Sequence, residues 1–284
     1  VKQWVTAAIR DEEQCPPDQM WKKERSADWA YKERLRRIKF LRKHSNTHPD
    51  ALIVAKRLES CEPGYRCLSG ACPECGRLLQ RWFVRRSKKF IAGHIALPWN
   101  WLVGVSIVPY DEIIRPGQLS SLDVVNMQRR LKYVLKKTKM CVALGAVDFS
   151  FNEDREGKYP PFWSPHFYLI TSTENKGALS KELRKVLRKT AKAVRRANSF
   201  WKTRKRTVPR PVYVSSFQNN AYRRSYALKM DFYRRTENRN GRLGKERLEL
   251  FIYLDKIGFA RRVTCWGAKP VVNSSRVKIV ECGH

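Results

Sequence analysis

The chain is 284 residues long, with 59 Lys plus Arg against 26 Asp plus Glu, a formal charge of +33 and a pI near 10.3. A field of that sign opposes compaction until a polyanion neutralises it, which points to a nucleic acid as partner and away from a soluble enzyme of small metabolites. At 42% hydrophobic and 11% aromatic the sequence can bury a core and offer rings for stacking bases, and no run approaches the roughly 18 apolar residues of a membrane span.

Residues 1–18 read as loop-rich, closing on Cys15-Pro16-Pro17-Asp18. The opening Val1-Lys2-Gln3-Trp4 lacks the apolar centre of a signal peptide, so the cytoplasm is the expected compartment. A basic helix is predicted over 19–44 and a second over 51–60. A third, over 77–92, has Leu78, Leu79, Trp82, Phe83 and Phe90 on its apolar side and Arg81, Arg85, Arg86, Lys88 and Lys89 on its outside.

Between the second and third helices lie Cys61, Cys67, Cys72 and Cys75, spaced C-x5-C-x4-C-x2-C. Cys72-Pro73-Glu74-Cys75-Gly76 has the tight turn and trailing glycine of a zinc knuckle. Four thiolates suit a closed tetrahedral structural zinc, and a reducing cytosol favours that over two disulfides or unligated thiols. Residues 1–96 are therefore expected to form a basic helical module with a four-cysteine zinc site, bounded near Leu97-Pro98-Trp99-Asn100.

Residues 97–284 alternate differently. A buried strand is predicted at 101–108, a helix at 121–137, and a strand at 142–151 that turns through 152–158 into a partner at 162–172. A basic helix over 179–198, a short strand at 212–214, a helix carrying tyrosines, a helix over 241–259 and edge strands within 263–280 complete the chain. Helices mixed with hairpin strands imply an α+β fold with a central antiparallel sheet flanked by helices.

The stretch Ala221-Tyr222-Arg223-Arg224-Ser225-Tyr226-Ala227-Leu228-Lys229 carries the chemistry. On a helix, Tyr222, Tyr226 and Lys229 fall at i, i+4 and i+7, which puts two phenols and an ammonium on one face. Upstream, the strand Trp163-Ser164-Pro165-His166-Phe167-Tyr168 carries a histidine, and Asp148 sits on the paired strand. Phenols, a lysine and a histidine suggest attack on a phosphodiester: a phenol of pKa about 10 needs a cation beside it to become a nucleophile. Lys185, Arg188, Lys192 and Arg195 on the basic helix, Arg204 and Arg206 after it, and Arg223 and Arg224 beside the tyrosines are candidate phosphate contacts.

The order of strand, helix, hairpin with Pro-His, basic helix and Tyr-x3-Tyr-x2-Lys over roughly 100–235 resembles the rolling-circle replication initiators of the HUH endonuclease superfamily, and an upstream cysteine cluster occurs in some plasmid and phage members. The resemblance implies an HUH/RRM-like fold and a tyrosine endonuclease that nicks and rejoins one DNA strand at a replicon origin. It implies single-stranded DNA or an origin hairpin as substrate, with a host helicase or polymerase as further partner. It also implies Mg²⁺ or Mn²⁺ at the nick, held by His166 with Asp148, beside the structural zinc. One position departs from the family's His-hydrophobic-His strand motif: Tyr168 stands where the second histidine is expected. A Rep-like DNA-binding regulator without chemistry, or an RNA-binding protein, fits the charge and aromatics as well.

Overall fold

The computed structural model describes residues 3–15, 26–94, 101–109, 112–138, 140–153, 160–197, 212–217, 221–230, 232–236, 239–242, 244–273 and 276–282. The N-terminal segment expected as loop is a helix, α1 (Gln3–Glu13). Its Val5, Ala8, Ile9 and Glu12 repeat at helical spacing and are all buried. They pack on α4 (Pro73–His94), where Trp4 meets Trp82 at 5.2 Å between ring centroids. Covering that face corrects the reading of α4 as well: Arg81, expected outside, is buried and pairs with Glu12, and Arg86 pairs with Asp11. Burial pushes the Glu12 carboxyl up, although Arg85 and Arg81 pull the other way.

Helix α2 (Ala27–Lys43) starts at Ser26, whose side chain accepts the Trp29 N–H at 3.0 Å, and α3 (Pro49–Glu59) starts with proline in its first turn. Two arginines of α2 face inward rather than toward a polyanion. Arg34 donates to Leu58 O at 2.8 Å, and Arg37 donates to Ala71 O at 2.8 Å. These two cations are thus committed to holding helices and loop together.

The sheet is built from β1 (Leu102–Ile107), β2 (Ala143–Asn152), β3 (Phe162–Ser172) and β4 (Val212–Ser216) in the order β4-β1-β3-β2. Every neighbouring pair among these four is antiparallel. Helix α5 (Val124–Lys137), N-capped by Asp123, connects β1 to β2, and α6 (Lys176–Ala197) connects β3 to β4. Each helix therefore joins two strands that run the same way with one strand between them, giving two interleaved β–α–β units. Pro165 lies on β3 beyond the last β1 pairing, Ile107 with Phe167, so its missing N–H breaks no bond on that side.

The tyrosine helix is short: α7 (Ala221–Tyr226) closes with Ala227 N–H to Arg224 O and Leu228 N–H to Ser225 O. These i→i+3 bonds tighten the last turn, so Lys229 lies past the helix instead of on its face. Next come a small hairpin, β5 (Tyr233–Thr236) and β6 (Arg239–Arg242), then α8 (Glu246–Ile257), shorter than the helix expected over 241–259. Strand β7 (Val263–Trp266) pairs antiparallel with β2, whereas β5 meets the far end of β2 in parallel. The last two strands, β8 (Ala268–Asn273) and β9 (Arg276–Glu281), form a separate hairpin.

One contiguous core runs through the whole molecule, joining Ile9, Leu79 and Trp82 to Val105, Phe167 and Leu254. The boundary expected near residue 96 lies outside the described residues. No helix among the described residues is long and apolar enough to cross a membrane.

Candidate active site and metal centre

The loop between α3 and α4 brings Cys61, Cys67, Cys72 and Cys75 together. Their sulfurs lie within 4.8 Å of one another, with Cys61–Cys75 and Cys61–Cys72 at 3.6 Å and Cys67–Cys75 at 3.7 Å. Four sulfurs about 2.3 Å from a tetrahedral zinc would be about 3.8 Å apart, whereas a disulfide needs about 2.05 Å. The set fits a closed metal centre and no disulfide. Cys61, Cys72 and Cys75 are buried, and burial pushes the Cys72 thiol up, while thiol contacts from Cys67, Cys72 and Cys75 pull Cys61 down. Among the described residues this is the one cluster of three or more His, Cys, Asp or Glu able to hold an ion.

The loop is anchored on all sides. Arg66 binds Glu13 at 2.5 Å, reaches Glu74 at 3.4 Å and points at Cys61 Sγ from 3.9 Å; Arg34 binds Glu74 at 2.5 Å. Leu68 takes the left-handed conformation at φ 56°, which fits a turn fixed by flanking ligands. At Gly70 a Cβ would fall 2.2 Å from Leu254 O, so the absence of a side chain lets the loop rest directly on α8.

Helix α4 carries this centre at its N-terminus and touches the tyrosine segment a turn later. Met230 Sδ lies so close to Gly76 that a Cβ there would come within 2.8 Å of it. Gln80 Nε2 donates to Ser225 O at 3.1 Å and to Leu228 O at 3.0 Å, two carbonyls at the end of α7. Arg262, wholly buried, donates to Lys229 O at 2.7 Å and accordingly fixes the residue after the turn. Burial brings its guanidinium down to about 10. Neither Gln80 nor Arg262 carries any pattern a sequence reading could single out.

On the sheet, the register sets Asp148 opposite His166 and Tyr168 opposite both Ala146 and Ser106. Asp148 and His166 are both buried, at 6% and 5% exposure. Asp148 Oδ2 receives Lys229 Nζ at 2.8 Å and faces His166 Nε2 at 3.3 Å, and its Oδ1 accepts Phe149 N–H at 2.9 Å. His166 Nδ1 lies 3.2 Å from Ser164 O. Burial pushes the Asp148 carboxyl up, but Lys229 and His166 outweigh it and hold the group well below the usual range. For Lys229 burial acts downward, and Asp148 more than reverses it, so its ammonium is favoured.

Lys229 Nζ also sits 3.8 Å from the centroid of the Tyr226 ring, and Tyr226 packs edge-on against Tyr168 at 4.8 Å. Burial raises the Tyr168 phenol, keeping it neutral. Its oxygen leans toward Gly104, where a Cβ would fall 2.4 Å away. Gly104 pairs with Ile170, so that oxygen points to the sheet row on the far side from His166. Tyr226 is 38% exposed and Tyr222, one turn earlier, 40%.

The candidate phosphate contacts divide. Lys185 is exposed on α6 beside Lys181 and Arg184 in a groove shared with Gly177 and Ser180, and Arg223 is exposed near Tyr168. Arg224 is 4% exposed, turned into the protein because it is on the inner side of α7, and burial lowers its pKa; it does not belong to an outer phosphate-binding face. Arg188, Lys192 and Arg195 lie on the helical backbone of α6, their side chains outside the described residues, as are Arg204 and Arg206 altogether.

Compared with known proteins, the chain matches no protein-family model, no curated protein and no solved structure. Fold and site together define an α+β protein with a four-cysteine cluster able to bind a metal such as zinc. Beside it lies a buried carboxylate–lysine–histidine group facing a half-exposed tyrosine.

Proposed function

We infer that the protein is a DNA strand-transfer endonuclease of the rolling-circle initiator kind, using Tyr226 as nucleophile. The observation that carries this reading is the convergence of Asp148, His166, Tyr226 and Lys229 from β2, β3, α7 and the turn after it. The Lys229 ammonium, held by buried Asp148, stands against the ring of a half-exposed tyrosine, the kind of neighbour a phenol needs to become a nucleophile. Interleaved β–α–β units agree with an RRM-like core.

Tyr226 attacks phosphorus in line, the 5′ phosphate stays on the phenol oxygen, and the 3′ oxygen leaves as a hydroxyl for a polymerase to extend. Exchanging one ester for another conserves the bond, so religation needs no ATP. Tyr222, one turn earlier on α7 and 40% exposed, serves in a second exchange, and the excess of cations holds the strand. The partner is single-stranded DNA or an origin hairpin, with a replicon's helicase or polymerase acting downstream. Incubation with single-stranded oligonucleotides, with and without Mg²⁺ or Mn²⁺, tests this: a denaturation-resistant adduct on tyrosine is expected. Tyr168 favours a second reading, a Rep-like DNA-binding regulator, which DNA binding without any adduct would leave standing.

A further inference from the structure

The residues that the resemblance assigns to a divalent ion do not make a site for one. Asp148 has both oxygens taken, Oδ1 by Phe149 N–H and Oδ2 by Lys229 and His166. His166 has both ring nitrogens turned to oxygen acceptors, Ser164 O and Asp148 Oδ2. Tyr168, at the second histidine's position, sends its phenol oxygen toward Gly104 and away from the other two. Hard cations such as Mg²⁺ want several oxygens about 2.1 Å away in near-octahedral array. Seating one on Asp148 Oδ2 would expel the Lys229 ammonium, whose side chain is only 12% exposed, and leave a buried charge without its partner.

We propose that the ammonium of Lys229, clamped by Asp148, is the resident cation of the Tyr226 site, and that strand transfer here proceeds without a catalytic divalent ion. The inference rests on the tyrosine-nucleophile reading above. An ammonium has three N–H donors, and Asp148 takes one. The Tyr226 side chain engages a second, with Nζ 3.8 Å from its ring centroid, which leaves a donor for a phosphodiester brought up to the Tyr226 oxygen. In the step, the Tyr226 oxygen–phosphorus bond forms as the bond from phosphorus to the 3′ oxygen breaks. The phenolic proton is accounted for on the 3′-hydroxyl released. Lys229 keeps all its protons throughout and offsets charge on the non-bridging oxygens, as a metal would, with Asp148 and Arg262 fixing its position.

The test uses full-length protein carrying one zinc per chain by elemental analysis, in buffers stripped of other divalent ions. Adduct on a single-stranded oligonucleotide should form at about the same rate with or without millimolar Mg²⁺ or Mn²⁺. Lys229→Met should lower the rate by roughly 10²–10³-fold, the loss seen when one charge-stabilising donor is removed, and Mn²⁺ should not restore it. Because Lys229→Met strips Asp148 of its partner, Lys229→Arg is the companion variant: it keeps the charge and should retain part of the rate. Manganese EPR on the same zinc-loaded protein should reveal no bound Mn²⁺ that His166→Ala removes. Adduct formed only with Mg²⁺ or Mn²⁺ overturns the inference and leaves the tyrosine reading intact, as does a His166-dependent Mn²⁺ site. No adduct in either buffer overturns the strand-transfer reading and this inference with it.

Discussion

Gln80 on α4 donates to Leu228 O at 3.0 Å, and its amide also reaches Ser225 O at 3.1 Å, so one side chain of the cysteine-bearing helix caps the end of the tyrosine helix. Met230 packed on Gly76 reinforces the same contact. A six-residue helix is far below the length that is stable by itself, and α7 depends on such partners for its shape. Gln80→Ala should therefore destabilise the protein by about 1–2 kcal/mol, the cost of two carbonyls losing a donor at a part-buried end. It should slow adduct formation more than it weakens DNA binding. Urea denaturation and a filter-binding titration run side by side check both.

Elemental analysis should find one zinc per chain, and Cys72→Ser should lose most of it. Metal binding contributes to folding wherever the ligand set does not exist in the unfolded chain. Chelation should then lower the melting temperature. Because α4 begins at this centre, amide exchange should quicken in α7 as well as in the loop. Metal-free protein with unchanged melting and unchanged exchange would count against a structural zinc.

Lys229→Met should cost on the order of 3 kcal/mol, since it leaves Asp148 buried with its charge poorly matched. Adding Asp148→Asn should recover a good part of that, which a double-mutant cycle reads directly. The pH dependence has two limbs. Asp148 is depressed, so its contribution is present above the unfolded carboxyl pKa of about 3.9 and is lost as pH falls through the lower folded value. Lys229 is raised, so its contribution is present below the unfolded value of about 10.4 and is lost as pH climbs through the higher folded one. Wild type should thus lose stability at both extremes more steeply than the double variant.

Tyr226→Phe should abolish most first-strand adduct, and Tyr222→Phe much less, because Tyr226 is the phenol that meets Lys229 and Tyr168. Phenylalanine keeps the ring contact and removes only the oxygen, so unchanged melting with lost activity separates chemistry from packing. Equal losses from the two single changes would assign the tyrosines interchangeable roles.

Affinity for DNA should fall steeply with salt, each phosphate contact adding roughly 0.7–0.9 to the logarithmic slope. Lys181→Glu with Lys185→Glu, in the groove along α6, should weaken all sequences about equally and reduce that slope. Arg224→Glu should instead act as a folding defect, because that residue is buried.

Two apolar runs joined by a segment rich in turn residues made the β2–β3 hairpin legible, and with it the placing of Asp148 on the strand beside His166. The close spacing of four cysteines was equally open to reading. Charge was misleading in the first ninety or so residues. Arg34, Arg37 and Arg81 look like solvated or DNA-facing cations in a basic helix, but Arg34 and Arg37 donate to buried carbonyls and the three pair with Glu74, Glu33 and Glu12 respectively. Paired prolines after Cys15 suggest a loop, whereas the helical spacing of Val5, Ala8 and Ile9 prevails in α1 and buries the face it covers. Gln80 and Arg262 act through long-range contacts with backbone carbonyls, which leave no local trace.

Tyr168 and Gly104 form a matched pair across neighbouring strands, a long phenol laid over a position without a side chain. Placing histidine at 168 would shorten that side chain, open a gap above Gly104 and withdraw the ring on which Tyr226 rests. Asp148 would still be held by Lys229. A two-histidine site therefore lies several coordinated substitutions away from this chain, and any path to one would pass through poorly packed intermediates.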